Sequence, residues 1–267
     1  MTLPLRIASP LMFGSRRSLR LIERNLYVYR HTWMVLVSGF FEPLFYLLSI
    51  GIGLGRLVGA VPGPGGAPIP YVLFVAPALL ASSSMNGAIT EATLNFFFKL
   101  KYQKTFESIL STPLSTADIA LGELAWALIR GGLYTTGFLV VMVALGLAVT
   151  PLLILALPAA LLISLAFGAV GMAATSFMRT WQDFDMVQLV ILPMFLFSGT
   201  FYPIDRYPEA IRLIVQLTPL YQGVDLLRSL VTGHIDISVL FHVVYLTVMG
   251  LIGLAVVARR LNRLLLK

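Results

Sequence analysis

The sequence predicts an all-α integral membrane protein, and three observations carry that prediction. Of 267 residues, 58% are hydrophobic and 12% charged, against about 45–50% and about 25% in soluble domains. The mean hydropathy is +0.89. A soluble fold of this length could not bury so much apolar surface, so the bilayer must be part of its solvent. The apolar residues also fall in long runs, and no polar stretch is long enough to form a separate soluble domain. A single transmembrane domain over residues 1–267 is expected.

The elements follow in order. MTLPLRIASPLMFG carries Pro4 and Pro10 and lacks a continuous apolar core, so the first span is expected to act as the insertion signal. Residues 15–32 place Leu19, Ile22, Leu26 and Tyr29 at helical spacing. Arg16, Arg17, Arg20, Glu23, Arg24 and Arg30 fill much of the remainder. That pattern suits an amphipathic helix in the headgroup plane, or a basic orientation signal without fixed structure.

A hydrocarbon core about 30 Å thick takes about 20 apolar residues to cross as a helix. Six stretches qualify: Trp33 to Leu54, Tyr71 to Ile89, Leu124 to Val149, Leu152 to Met178, Met186 to Ile204 and Val239 to Val257. Thr150-Pro151 makes the third and fourth an antiparallel hairpin. Pro193 lies inside the fifth, where a kink is tolerated if neighbours satisfy the freed carbonyl. RLVGAVPGPGGAPIP, after the first span, reads as a flexible connector. Residues 205–236 are too apolar for a plain solvated loop, and Pro208 suits a helix start. This segment is expected to re-enter the protein from the outer face.

Lysine and arginine fix the orientation. Arg6, Arg16, Arg17, Arg20, Arg24 and Arg30 precede the first span, and Lys99, Lys101 and Lys104 follow the second. Arg179 follows the fourth; Arg259, Arg260, Arg263 and Lys267 form the tail. The other side has Arg56, Arg206, Arg212 and Arg228. Six alternating spans therefore place both termini in the cytoplasm. The net charge of +7 is explained by this asymmetry rather than by nucleic acid.

Residues 96–115 are the exception in this apolar chain. Tyr102, Phe106, Ile109, Leu110 and Pro113 recur at spacings of three and four, with Lys101, Lys104, Ser108 and Ser111 on other sides. Periodicity alone fits either an interfacial helix on anionic headgroups or a docking element for a cytoplasmic partner. Charges within spans are functional candidates. Glu91 and Glu123 fall near cytoplasmic ends, where hydration is expected. Glu42 and Arg130 lie deeper, at similar depth, and are expected to pair or to line a translocation path.

Several chemistries are excluded. Cysteine is absent, which removes disulfides, thiolate metal sites and cysteine nucleophiles. None of the four lysines follows a glycine, so no phosphate-cradling loop of the GxxxxGK type exists. GIGLG at 51–55 ends an apolar run instead of following a strand, and reads as close helix packing. His31, His234 and His242 form no HExxH pair, and there is no GxSxG elbow. No cofactor or metal is expected.

Three stretches resemble type-2 ATP-binding-cassette exporter permeases, particularly the nodulation-factor and drug-exporting branches. They are FEPLFYLLSIGIGLG at 41–55, FESILSTPLS at 106–115, and LPMFLFSGTFYPIDRYP at 192–208 continued by TPLYQGVDLLR at 218–228. Thr218 departs from the asparagine that relatives commonly carry. The resemblance implies a permease that pairs with a second copy and binds two copies of a separate cytoplasmic ATPase. Residues 15–32 would be its elbow helix, 96–115 its coupling region and 205–236 its outer re-entrant pair. Lys101, Lys104, Phe106, Glu107 and Ser108 would face the ATPase, with Phe106 as the aromatic anchor. ATP hydrolysis would occur on the other polypeptide. The cargo would be an amphipathic drug, lipid or lipo-oligosaccharide, carried across a bacterial inner membrane. An ion-coupled secondary transporter, with Glu42 as proton carrier, is the alternative; no internal repeat supports it.

Overall fold

The computed structural model describes residues 16–30, 41 and 44–266. Among them the chain is mostly helical, with one short hairpin. The first helix, α1 (Arg16–Tyr29), docks through Leu21 and Asn25, which are 2% and 1% exposed. Leu19 and Leu26, on the stripe predicted to meet headgroups, stay exposed. The helix thus has two working faces, one of which the periodicity missed. Its docked face depends on a glycine: a Cβ at Gly122 would lie 2.6 Å from Leu21 Cδ1.

The first predicted span begins outside the described residues; its later part is α2 (Leu44–Val58), wound as a π-helix over Leu47–Leu54. Gly51 sits against Leu47 and Val72, so the GIGLG run does serve close packing. The expected flexible connector is instead an antiparallel hairpin of β1 (Ala60–Pro62) and β2 (Pro68–Pro70). Gly65 and Gly66 make its turn with φ of 73° and 80°, backbone that only glycine adopts readily.

Tyr71–Tyr102 is one continuous helix, α3. The predicted span ended at Ile89, yet the helix runs on through Glu91 and Lys99. It contains two π-helical stretches, Glu91–Asn95 and Phe98–Tyr102. A short helix, α4 (Thr105–Leu110), follows, entered through Lys104 at φ 50°. Next comes α5 (Thr116–Ala144), which starts well before the predicted span. Its start is set by a capping box in which Ser115 and Asp118 exchange hydrogen bonds.

Pro151–Thr175 forms α6, and α7 (Phe184–Phe197) follows a second capping box between Thr180 and Asp183. Backbone N–H groups of Arg179 and Thr180 hold the Asp183 carboxyl below its ordinary range. Helix α7 stops at Ser198 and Gly199, shorter than predicted. Two helices then fold against the bundle: α8 (Glu209–Leu217) and α9 (Pro219–Thr232). Thr218 caps α9 by accepting from the Tyr221 N–H, so threonine does here what asparagine would do. The last helix, α10, spans Ile237–Leu265.

Helix α3 is the hub. Its most apolar window is 83% buried, against 22% for α10; α5, α6 and α9 surround α3, and α10 packs on the far side of α6. Small residues allow the close crossing: a Cβ at Gly131 of α5 would lie 2.2 Å from Ser164 Oγ of α6, and one at Gly87 of α3 would lie 3.1 Å from Gly131 Cα. Without a hydrophobic drive between helices in lipid, such contact is the main source of cohesion. The core divides in two. One part, towards the hairpin, gathers Phe74, Leu79, Phe138, Ile163, Leu227 and Leu246. The other, towards α4, gathers Phe96, Phe106, Ile119, Met172, Val257 and Leu261.

Candidate functional site: a buried charge cluster beside a two-faced helix

Four ionisable side chains meet at the α4 end of the bundle. Glu91 and Lys99 come from α3, and Glu123 and Arg130 from α5. They are 1%, 8%, 2% and 5% exposed, so the expectation that both glutamates are hydrated is wrong. Lys99 Nζ lies 2.6 Å from Glu123 Oε2 and 3.3 Å from Glu91 Oε1, and Arg130 Nη1 lies 2.9 Å from Glu91 Oε2. Two carboxylates balance two cations. The balance is what makes burial possible, since an unpaired charge here would be strongly destabilising.

Neutral groups complete the shell. Asn95 Nδ2 donates to Glu91 Oε2 at 2.7 Å and the Tyr29 hydroxyl donates to the same oxygen at 3.0 Å. Arg130 Nε donates to the Tyr134 hydroxyl at 3.1 Å. Lys99 also reaches Asn25 Oδ1 at 3.4 Å. Tyr29 and Asn25 belong to α1, so the cluster fastens α1 to the bundle. Burial, reinforced by the Glu91 charge, pushes the Tyr29 phenol well above its ordinary value. It therefore stays a hydrogen-bond donor at any physiological pH.

The π-helical turns explain how α3 brings its two charges together. On an ideal α-helix residues eight apart lie about 80° apart. Each i→i+5 turn rotates less per residue, which swings Lys99 back onto the face of Glu91. Such turns recur at functional sites. Sequence offered one signal for the α5 pair: Glu123 and Arg130 are seven apart, two turns along one face. It offered none for joining them to α3.

The predicted Glu42 lies outside the described residues. Arg130 donates to Glu91 and Tyr134, and the pair expected with Glu42 falls, with that residue, outside the described part of the chain. Arg130 is enclosed within the cluster.

Helix α4 has two faces. Phe106 is fully buried against Phe96, ring centroids 5.1 Å apart, with Ile109 beside it in the α4-end core. That corrects the expectation for Phe106: it cannot be an outward anchor, because it is the residue that fixes α4 to α3. Lys101, Lys104, Glu107 and Ser108 are exposed.

A cavity of 460 Å³ opens between α3, α6, α7, α9 and α10, walled by Phe167, Val170, Phe177, Met186, Val190 and Met194. Thr93 and Asp183 are the polar side chains on its wall. Among the described residues no His, Asp and Glu group could hold a metal ion.

The apolar bundle, with its charges buried at one end, is that of a multi-pass helical membrane protein. The sequence profile of the ABC-2 type transporter family matches residues 18–232, and the chain belongs to that family. It is thus a membrane permease of an ATP-binding-cassette exporter, a component that is not itself catalytic. The chain is 34% identical over 256 residues to nodulation protein J of Rhizobium leguminosarum bv. trifolii, covering 94% of this chain and 96% of that one. Nodulation protein J of Rhizobium meliloti is 34% identical over 82% of this chain and 84% of its own. The inner membrane transport permease YadH of Escherichia coli is 24% identical over 78% and 76%.

Proposed function

We propose that two copies of this chain form the export path, and that two copies of a separate cytoplasmic ATPase drive it through α4. The α4 end is then cytoplasmic, with both termini on that side, six spans in all, and a bacterial inner membrane as the site. The carrying observation is the division of α4 into a buried aromatic face and an exposed polar one. Lys101, Lys104, Glu107 and Ser108 present the surface that the ATPase grips. Phe106 passes the displacement to α3, and the Glu91–Lys99–Glu123–Arg130 cluster makes α1, α3 and α5 follow as a unit. Helices α8 and α9 re-enter from the outer face and close the path there.

The cargo is an amphipathic molecule, a drug, lipid or lipo-oligosaccharide. A cavity apolar on nearly every wall supports that class. Charge reversal tests the coupling. In a reconstituted complex with the cognate ATPase, Lys101→Glu with Lys104→Glu should cut permease-dependent ATPase stimulation and cargo export at least tenfold. The permease should still insert and purify normally. Unchanged stimulation and export would remove the polar surface where α3 turns into α4 as the coupling element.

A further inference from the structure

A smaller pocket, of 210 Å³, lies between α1 and the end of α3 and has no part in the coupling just described. Its α3 wall carries Asn95, Lys99 and Gln103, which recur every four residues. Its α1 wall carries Arg24, Asn25 and Tyr29.

The charges on these walls do not balance. Lys99 has its carboxylates, Glu91 and Glu123, but neither of them lines the pocket. Arg24 is half-buried and, among the described residues, has no carboxylate within ion-pair distance. Its neighbour Glu23 pairs with Arg20 instead. Arg24 Nη1 lies 3.3 Å from Asn25 Oδ1, and Lys99 Nζ lies 3.4 Å from the same oxygen. Both contacts are long for charged donors. Two cations thus converge on one neutral amide oxygen, and an anion in the pocket could accept from both through stronger, charge-assisted bonds. Gln103 adds a donor: its Oε1 accepts from the Thr105 hydroxyl at 3.4 Å, which leaves its N–H groups for a ligand.

The rim indicates what kind of anion fits. Val28 and Phe98 line the same pocket, yet they are 55% and 40% exposed. Tyr102 packs on Phe98, ring centroids 5.3 Å apart, and is exposed too. A free phosphate gains nothing from this apolar border, whereas a phospholipid can lay an acyl chain along it. We propose that the pocket binds the phosphate of an anionic phospholipid between Arg24 and Lys99, with Gln103 as a further donor and an acyl chain along Val28 and Phe98. The excess charge of Arg24 selects a headgroup of net negative charge; a zwitterionic one would bring its own cation against two others. Bound there, the lipid fastens α1 to α3 from outside, as Tyr29 and Asn25 fasten it from within.

The inference does not rest on the coupling reading, and its test needs no ATPase. The full chain, purified in a non-ionic detergent, is titrated with phosphatidylglycerol and with phosphatidylcholine of the same acyl chains, and bound lipid is counted by native mass spectrometry. Phosphatidylglycerol should bind about tenfold more tightly or better, the worth of one hydrogen bond to a charged group. Equal affinities overturn the assignment. Arg24→Gln should remove the preference, whereas Arg20→Gln, the same loss of charge on the same helix, should keep it. Equal losses in the two variants would mean diffuse attraction of headgroups and no site. Inorganic phosphate, added as competitor, should leave the lipid bound; displacement would give the pocket to a free phosphate and overturn the lipid assignment. Should Arg24→Gln fail to fold, Gln103→Glu, which sets a carboxylate in the pocket, must abolish the same preference, and a preference that survives it overturns the site.

Discussion

The two ends of the bundle bury charge by different means. At the α4 end, four charges neutralise one another through side chains on α3 and α5, with α1 supplying donors. At the hairpin end, Arg228 is buried beneath the Phe74 ring, its guanidinium 3.9 Å from the centroid. It donates to backbone: Nη2 to the Gly199 carbonyl at 2.7 Å and Nε to the Phe74 carbonyl at 3.3 Å. The Gly199 carbonyl, where α7 ends, and the Phe74 carbonyl of α3 share one arginine from α9, so a single side chain pins the break to the hub. A side-chain network binds helices to move together; an arginine on loop carbonyls holds a non-helical turn at depth, where an unmade backbone bond is costly.

That contrast can be broken experimentally, and the largest effect belongs to the α4 end. Glu91→Ala leaves Arg130 and Lys99 short of their shared anion, and about 3–5 kcal/mol of stability should be lost. Thermal unfolding in detergent would show it, and a shift no larger than that of a surface mutant would mean the cluster is hydrated after all. Arg228→Ala comes next: two charge-assisted bonds to carbonyls vanish, for about 2–3 kcal/mol. Here added proteolysis between Ser198 and Thr218 should accompany the loss, because the pinned turn is released. Glu91→Ala should not have that effect.

A smaller loss sharpens the comparison, since it falls between the two ends. Gly131→Ala pushes a methyl into Ser164 and should cost about 1–3 kcal/mol through overpacking. Pairing it with Ser164→Ala should recover part of that, and no recovery would place the clash elsewhere. The smallest effect marks the limit of charge as an explanation. Arg20 and Glu23 pair at 2.8 Å on α1, but both are well exposed. Arg20→Ala should leave the unfolding temperature unchanged, as exposed pairs contribute little.

Much of the fold was legible in the sequence because bilayer thickness dictates apolar length. Tyr71 is both the predicted and the observed start of α3, and Pro151 and Ile237 lie within two residues of predicted span starts. Misreadings arose where charges are buried. A glutamate at position 91 signals a span's end only if nothing neutralises it, so α3 was cut short. Helix α5 was begun late for the same reason, at Leu124, one residue beyond the buried Glu123. The candidate site was legible as a segment but not as a surface. The spacing of Phe106 and Ile109 marked one apolar face of α4, yet no periodicity says whether that face meets a partner or the chain's own α3.

Composition and the order of apolar runs determined by themselves that this chain lives in a membrane, how its helices are spaced and where its polar helices lie. Those are one-dimensional properties, fixed by transfer free energy summed along the sequence. Which carboxylate meets which cation, that Phe106 turns inward, and that Arg24 and Lys99 converge on one oxygen were decided only by the tertiary structure. Each depends on residues distant in sequence arriving within about 3 Å of one another, and hydrogen bonds and ion pairs are short-ranged enough that only the packed bundle selects them.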